Sequence, residues 1–136
     1  MKGRLLWSVL ALAIVAGLTN GLQAQDTVPM VVQPMVLNLE SFSTCVTIHA
    51  EVPFNLVDQE SVVVTVNGEN LTPTSMKPDL RGELVIKFAA ADVKQALANL
   101  DLKLPATVTF RLEGATSVGA FAGEDDVLVI KRRFRK

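Results

Sequence analysis

The sequence predicts an all-β fold, a β-sandwich of about seven short strands with one short helix crossing over at one end. Three observations carry this expectation. Short runs of alternating apolar and polar residues recur along the chain, and that is the period of a half-buried strand. Turn signals separate the runs, above all Asn67-Gly68, a pair that tolerates positive φ at both positions. One run, Glu83 to Phe88, passes directly into apolar residues at helical spacing, namely Val93, Ala96, Leu97 and Leu100.

The first residues stand apart from this pattern. Lys2 and Arg4 form a basic start, Leu5 to Leu18 is an uncharged apolar run, and Thr19 to Ala24 is a short polar stretch ending in a small residue. That order predicts a secretory signal peptide over residues 1–24, cleaved after Ala24. A membrane-spanning helix needs about 20 apolar residues, more than this run has. The expectation is therefore an exported protein, secreted or periplasmic, whose mature chain begins at Gln25. Residues 25–34 carry two prolines and read as an extended leader ahead of a domain spanning 35–131.

Within that domain, Met35 to Leu39 alternates and predicts a first strand. Thr44 to Val52 has the cleanest alternation, with Val46, Ile48, Ala50 and Val52 facing inward and Cys45, Thr47, His49 and Glu51 outward. Pro53 ends the ladder because it has no N–H to donate. Asn55 to Glu60 reads as a polar connection and Ser61 to Val66 as a β-branched strand. After the Asn67-Gly68 hairpin comes a short edge strand near Asn70 to Thr74, marked by Pro73. Met76 to Gly82 reads as a loop. Glu83 to Phe88 points Leu84, Ile86 and Phe88 inward. The helix is expected from about Ala90 to Leu100, with Ala89 a poor cap and Asp92 well placed in the first turn. Ala106 to Glu113 is the next strand, with Val108, Phe110 and Leu112 on one face. Gly114 to Gly123 reads as a turn-rich connection anchored by Phe121. Asp126 to Lys131 is the last strand, and residues 132–136 form a basic tail.

Charge is segregated. Without Lys2 and Arg4 the chain has 11 basic and 14 acidic residues, and five of the 11 fall in the last six positions. The folded body is acidic and its end is basic, which argues against nucleic-acid binding by the body. A single cysteine rules out an intrachain disulfide. Tyrosine is absent and the one tryptophan lies in the apolar leader, so the aromatic platforms common in sugar-binding sites are missing.

The successive runs MVLNL, CVTIHAEVP, SVVVTVNG, DLRGELVIKFAAADVKQAL, ATVTFRLEG and FAGEDDVLVI together resemble a class of immunoglobulin-like β-sandwich modules in secreted bacterial and archaeal proteins. In that class a strand ending in VKF meets a short helix, a strand reading like VTLTVTG follows, and a phrase like GTPFEGSDTIRV closes the module. The matching stretches are Val85 to Phe88, Val93 to Leu97, Val108 to Gly114 and Phe121 to Val129. The chain departs from the class in being a lone module behind its own signal peptide, and in having Ala89 at the helix cap. The resemblance implies an immunoglobulin-like fold, without catalytic residues to carry over. It also implies that Val127 and Val129 face inward, leaving Leu128 and Ile130 on the outer face. Alternation alone leaves that choice open.

Candidate chemistry is sparse. Cys45 and His49 share a strand face four residues apart, about 13 Å, too far for a nucleophilic dyad. A zinc site lacks soft ligands. Glu124, Asp125 and Asp126 are the densest acidic cluster and the candidate calcium ligands, but consecutive strand residues point to opposite faces. Asn70-Leu71-Thr72 matches a glycosylation sequon followed by proline. No cofactor is expected. Lys131, Arg132, Arg133, Phe134, Arg135 and Lys136 form a basic, aromatic-containing end suited to anionic surfaces. The expected function is a non-catalytic binding or structural module at the cell envelope, with a protein or polymer of the envelope or exterior as partner. Membrane contact is expected only through the signal peptide or weakly through the tail. The alternatives are a small ligand- or calcium-binding periplasmic protein and, third, an enzyme, which would need His49, Glu51 and loop carboxylates around one pocket.

Overall fold

The computed structural model describes residues 26–41 and 45–132. The expected signal peptide and tail residues 133–136 lie outside the described residues. Among the described residues two sheets pack face to face around one apolar core, with one α-helix closing one end. The large sheet holds β1 (Asp26–Thr27), β3 (Val36–Asn38), β5 (Val57–Val66), β6 (Glu69–Leu71), β9 (Ala106–Thr116) and β10 (Gly119–Ile130). Its order is β1-β10-β9-β5-β6, and β3 also pairs with β10. The small sheet holds β2 (Met30–Gln33), β4 (Cys45–Pro53), β7 (Ser75–Pro78) and β8 (Glu83–Ala89), in the order β2-β4-β8-β7.

The alternating runs place the core as their periodicity requires. Val46, Ile48, Ala50 and Val52 of β4 are buried, as are Leu84, Ile86 and Phe88 of β8. Opposite them lie Val64 and Val66 of β5, Val108, Phe110 and Leu112 of β9, and Val127 and Val129 of β10. The inward phase of β10 is thus Val127 and Val129, and Leu128 is left 39% exposed. Asn67 and Gly68 have φ of 46° and 88°, the conformation of a two-residue hairpin turn joining β5 and β6. α1 (Ala90–Ala98) starts directly from β8 without a side-chain cap. It buries Ala90, Val93, Ala96 and Leu97 and carries the chain from the small sheet to the large one.

Four expectations are corrected. Of the expected leader 25–34, the described residues from Asp26 on do not stand ahead of the domain: β2 pairs with β4 and buries Met30 and Val32 in the core, so they belong to it. Residues 55–60 are not a plain connection: after a 3₁₀ turn at Phe54–Leu56, β5 is already paired at Val57 and Asp58 with Thr116 and Ala115. Residues 75–78 form an edge strand, since Ser75 to Pro78 pair with Lys87 to Leu84. Residues 114–123 are not a loose connection either. β9 and β10 form one long hairpin in unbroken register from Thr116↔Gly119 to Ala106↔Val129. The described residues thus contain ten strands, more than the seven expected, and the extra ones are short or lie at edges.

Two glycines explain why the start of β10 resembles a turn in sequence. A Cβ on Gly114 would lie 2.8 Å from Cζ of Phe121, its cross-strand partner, so the ring occupies the space a side chain would take. A Cβ on Gly123 would lie 3.0 Å from the backbone oxygen of Val28 and 3.1 Å from Cβ of Met30. The N-terminal strands cross β10 at this bare position.

Candidate functional site

The outer face of the β9–β10 hairpin carries ion pairs of Arg111 with Glu113 and Glu124, and its two ends differ. Near the hairpin turn, Arg111 of β9 donates from Nε to Glu113 Oε2 at 2.6 Å and from Nη1 to Glu124 Oε2 at 2.9 Å. The Glu113 carboxylate first, then Glu124, raises the Arg111 pKa above its ordinary value. Beside this triad an open groove of about 660 Å³ runs along Thr27 to Val31 and past Ala122 and Glu124.

The acidic cluster is split by the strand pleat. Glu124 faces outward to Arg111, and Asp126 faces outward and accepts from Thr109 Oγ1 at 2.8 Å. Asp125 lies on the inward phase and accepts the backbone N–H of Val32 at 2.8 Å. That N–H belongs to β2, an edge strand of the other sheet, so Asp125 ties the two sheets together at their corner. Among the described residues no group of three or more acidic, cysteine or histidine side chains is placed to hold a metal ion. Counting back by twos from Val129 and Val127 puts Asp125 inward. That count was the available signal for its role.

The other end of the hairpin is apolar and basic. Leu104, Pro105, Leu128 and Ile130 line a shallow groove of about 390 Å³ together with Lys131 and Arg132. β3 runs parallel to β10 here, with Val36 opposite Leu128. Met35 and Val36 are 67% and 48% exposed and extend the apolar surface to the sheet edge. The root of the tail is held firmly. Asn38 Nδ2 donates to the Arg132 carbonyl at 2.9 Å, and Arg132 N–H donates to Asn38 Oδ1 at 3.0 Å. Leu39 N–H also donates to the Ile130 carbonyl at 2.9 Å. The amide of Asn38 thus continues the β3–β10 ladder after the strands end. Of the expected tail residues, Lys131 and Arg132 are described; Arg133, Phe134, Arg135 and Lys136 lie outside the described residues. The ion pairs found among the described residues join Arg81 to Glu83 and Arg111 to Glu113 and Glu124, and neither Lys131 nor Arg132 takes part in them.

On the outer face of the small sheet, His49, Glu51, Asp79, Arg81 and Glu83 surround a hollow of about 120 Å³. Small-molecule sites usually occupy about 300–1,000 Å³. Asp79 Oδ1 accepts the backbone N–H groups of Arg81 at 2.8 Å and Glu83 at 2.9 Å. The bond from Glu83 N–H does most to hold the Asp79 carboxyl below the ordinary aspartate range. Glu83 pairs with Arg81 at 3.1 Å. These carboxylates shape the turn into β8. Cys45 is exposed at the start of β4, on the same strand as His49.

No protein-family model matches the chain, and a search of curated proteins returns no match either.

Proposed function

We propose that the protein is an exported, non-catalytic module of immunoglobulin-like β-sandwich type with a binding or structural role at the cell envelope. The observation that carries this reading is how the reactive side chains are used. Asp125 bridges the sheets, Asp79 caps a turn, Asp126 binds Thr109, and Arg111 is held between two glutamates. Each of these polar groups is spent on holding strands in place. The basic and apolar N-terminal pattern of residues 1–24 supports export. Fractionation of the native cell with intact-mass measurement tests the reading. A mass matching residues 25–136 in the envelope or medium is expected; a mass matching residues 1–136 in the cytosol overturns export.

The groove beside Arg111 favours a second reading, a small-ligand-binding protein, because its volume suits a small molecule. Calcium binding belongs to the same reading and would raise the melting temperature with added Ca²⁺.

A further inference from the structure

We propose that the end of the large sheet formed by Met35, Val36, Leu128, Ile130, Lys131 and Arg132 docks on the surface of an anionic phospholipid bilayer. The proposal deepens the envelope reading by naming a partner, and it rests on that reading only for which membrane the protein meets.

Three features of this end converge. The first is apolar exposure at an edge: Met35, Val36 and Leu128 are 67%, 48% and 39% exposed, and Leu104 and Ile130 adjoin them. A strip of this kind suits burial at the boundary between headgroups and acyl chains. The second is charge. The groove is lined by two cations, Lys131 and Arg132, and by no carboxylate. The sequence adds Arg133, Arg135 and Lys136 within the next four positions, and Lys103 precedes Leu104. On the same face of β10 the first acid up the strand from Leu128 is Asp126, whose carboxylate is bonded to Thr109. An acidic body with five of its eleven cations in the last six positions, the first two of them beside an apolar groove, is complementary to anionic headgroups and is oriented by them.

The third feature is rigidity at the attachment point. Asn38 fixes both backbone polar groups of Arg132, so the first two cations leave the sheet in a set direction beside the strip. Apolar contact and charge therefore act on one surface together. A solvated basic end would supply charge alone. One weak signal does not hold a protein on a membrane, whereas an apolar contact combined with a basic cluster does.

Vesicle co-sedimentation of the chain from Gln25 to Lys136 tests the proposal; that chain contains every described element. The vesicles are phosphatidylglycerol mixed with phosphatidylcholine, and phosphatidylcholine alone. Binding to the anionic vesicles at low salt, weaker at physiological salt and absent on neutral vesicles, is expected. Each cation removed should weaken binding about fivefold, so Lys131→Gln with Arg132→Gln should lose about 25-fold. A chain ending at Arg132 separates the tail from its root and should keep weakened but measurable binding. Val36→Thr with Leu128→Thr, with the tail intact, should weaken binding several-fold. Equal binding of the threonine and wild-type chains overturns the role of the strip. Equal binding to neutral and anionic vesicles overturns the role of charge. Absence of binding, together with a concentration-dependent dimer that the threonine pair abolishes, assigns the strip to a second copy of the chain and overturns the proposal. These results do not depend on where the cell sends the protein, so they are separable from the fractionation experiment.

Discussion

The two ends of the β9–β10 hairpin are made from the same pair of strands and do opposite work. At the turn end, Phe121 lies over Gly114, the N-terminal strands cross at Gly123, and Arg111 is closed between two carboxylates. At the other end, Leu128 and its neighbours remain exposed and Lys131 and Arg132 stand beside them. The difference shows that burial is set by what crosses the strand. Alternation holds at the Leu128 end, whereas Phe121, Ala122 and Gly123 are buried in succession at the turn end. Only the turn end has a second layer laid across its outer edge.

Phe121→Ala tests this contrast most severely. The ring is 2% exposed, and truncating a buried phenylalanine costs about 3–5 kcal/mol. A fall of about 12–20 °C in melting temperature is expected; a change of a degree or two would show that the turn end is not packed. Gly123→Ala comes next. Its methyl meets backbone at 3.0 Å, which cannot rotate away, so a loss of about 1–3 kcal/mol in a denaturant titration is expected. Asp125→Ala leaves the Val32 N–H at the sheet corner without its acceptor, at about 1–2 kcal/mol. Asp125→Asn should recover most of it, because one amide oxygen suffices. Val36→Thr with Leu128→Thr should change stability by less than about 0.5 kcal/mol, since both side chains face solvent. A larger loss there would mean that the exposed end is packed after all.

How much of this was legible depended on period and on reach. β4, β8, β9 and α1 were readable because each carries three or four core residues at its own spacing, and Val46 to Val52 and Leu84 to Phe88 are buried as that spacing requires. β2 was not, because Met30 to Gln33 is short and lies between prolines that read as a leader. β7, reading SMKP, has no alternation to detect, being an edge strand with its side chains partly or fully exposed. The first half of β10 was hidden by its small residues, which look like a turn and serve as room for Phe121 and β2. The candidate site was half legible. The basic run could be read from the sequence; the outward phase of Leu128 was implied only by the resemblance, since alternation fits either face of the strand. The Asn38 clamp could not, since its partner lies 94 residues away.

That distance has a kinetic side. The bonds from Val32 to Asp125 and from Asn38 to Arg132 span 93 and 94 residues, and β1 and β3 both pair in parallel with β10. Loop closure over such spans must be completed before the contacts repay it, which slows folding. A chain emerging from its N-terminus has no partner for β1 or β3 until β10 appears. The large sheet therefore closes only after the last strand is available, whereas the β5–β6 and β7–β8 pairs and α1 join residues close in sequence and need not wait for it.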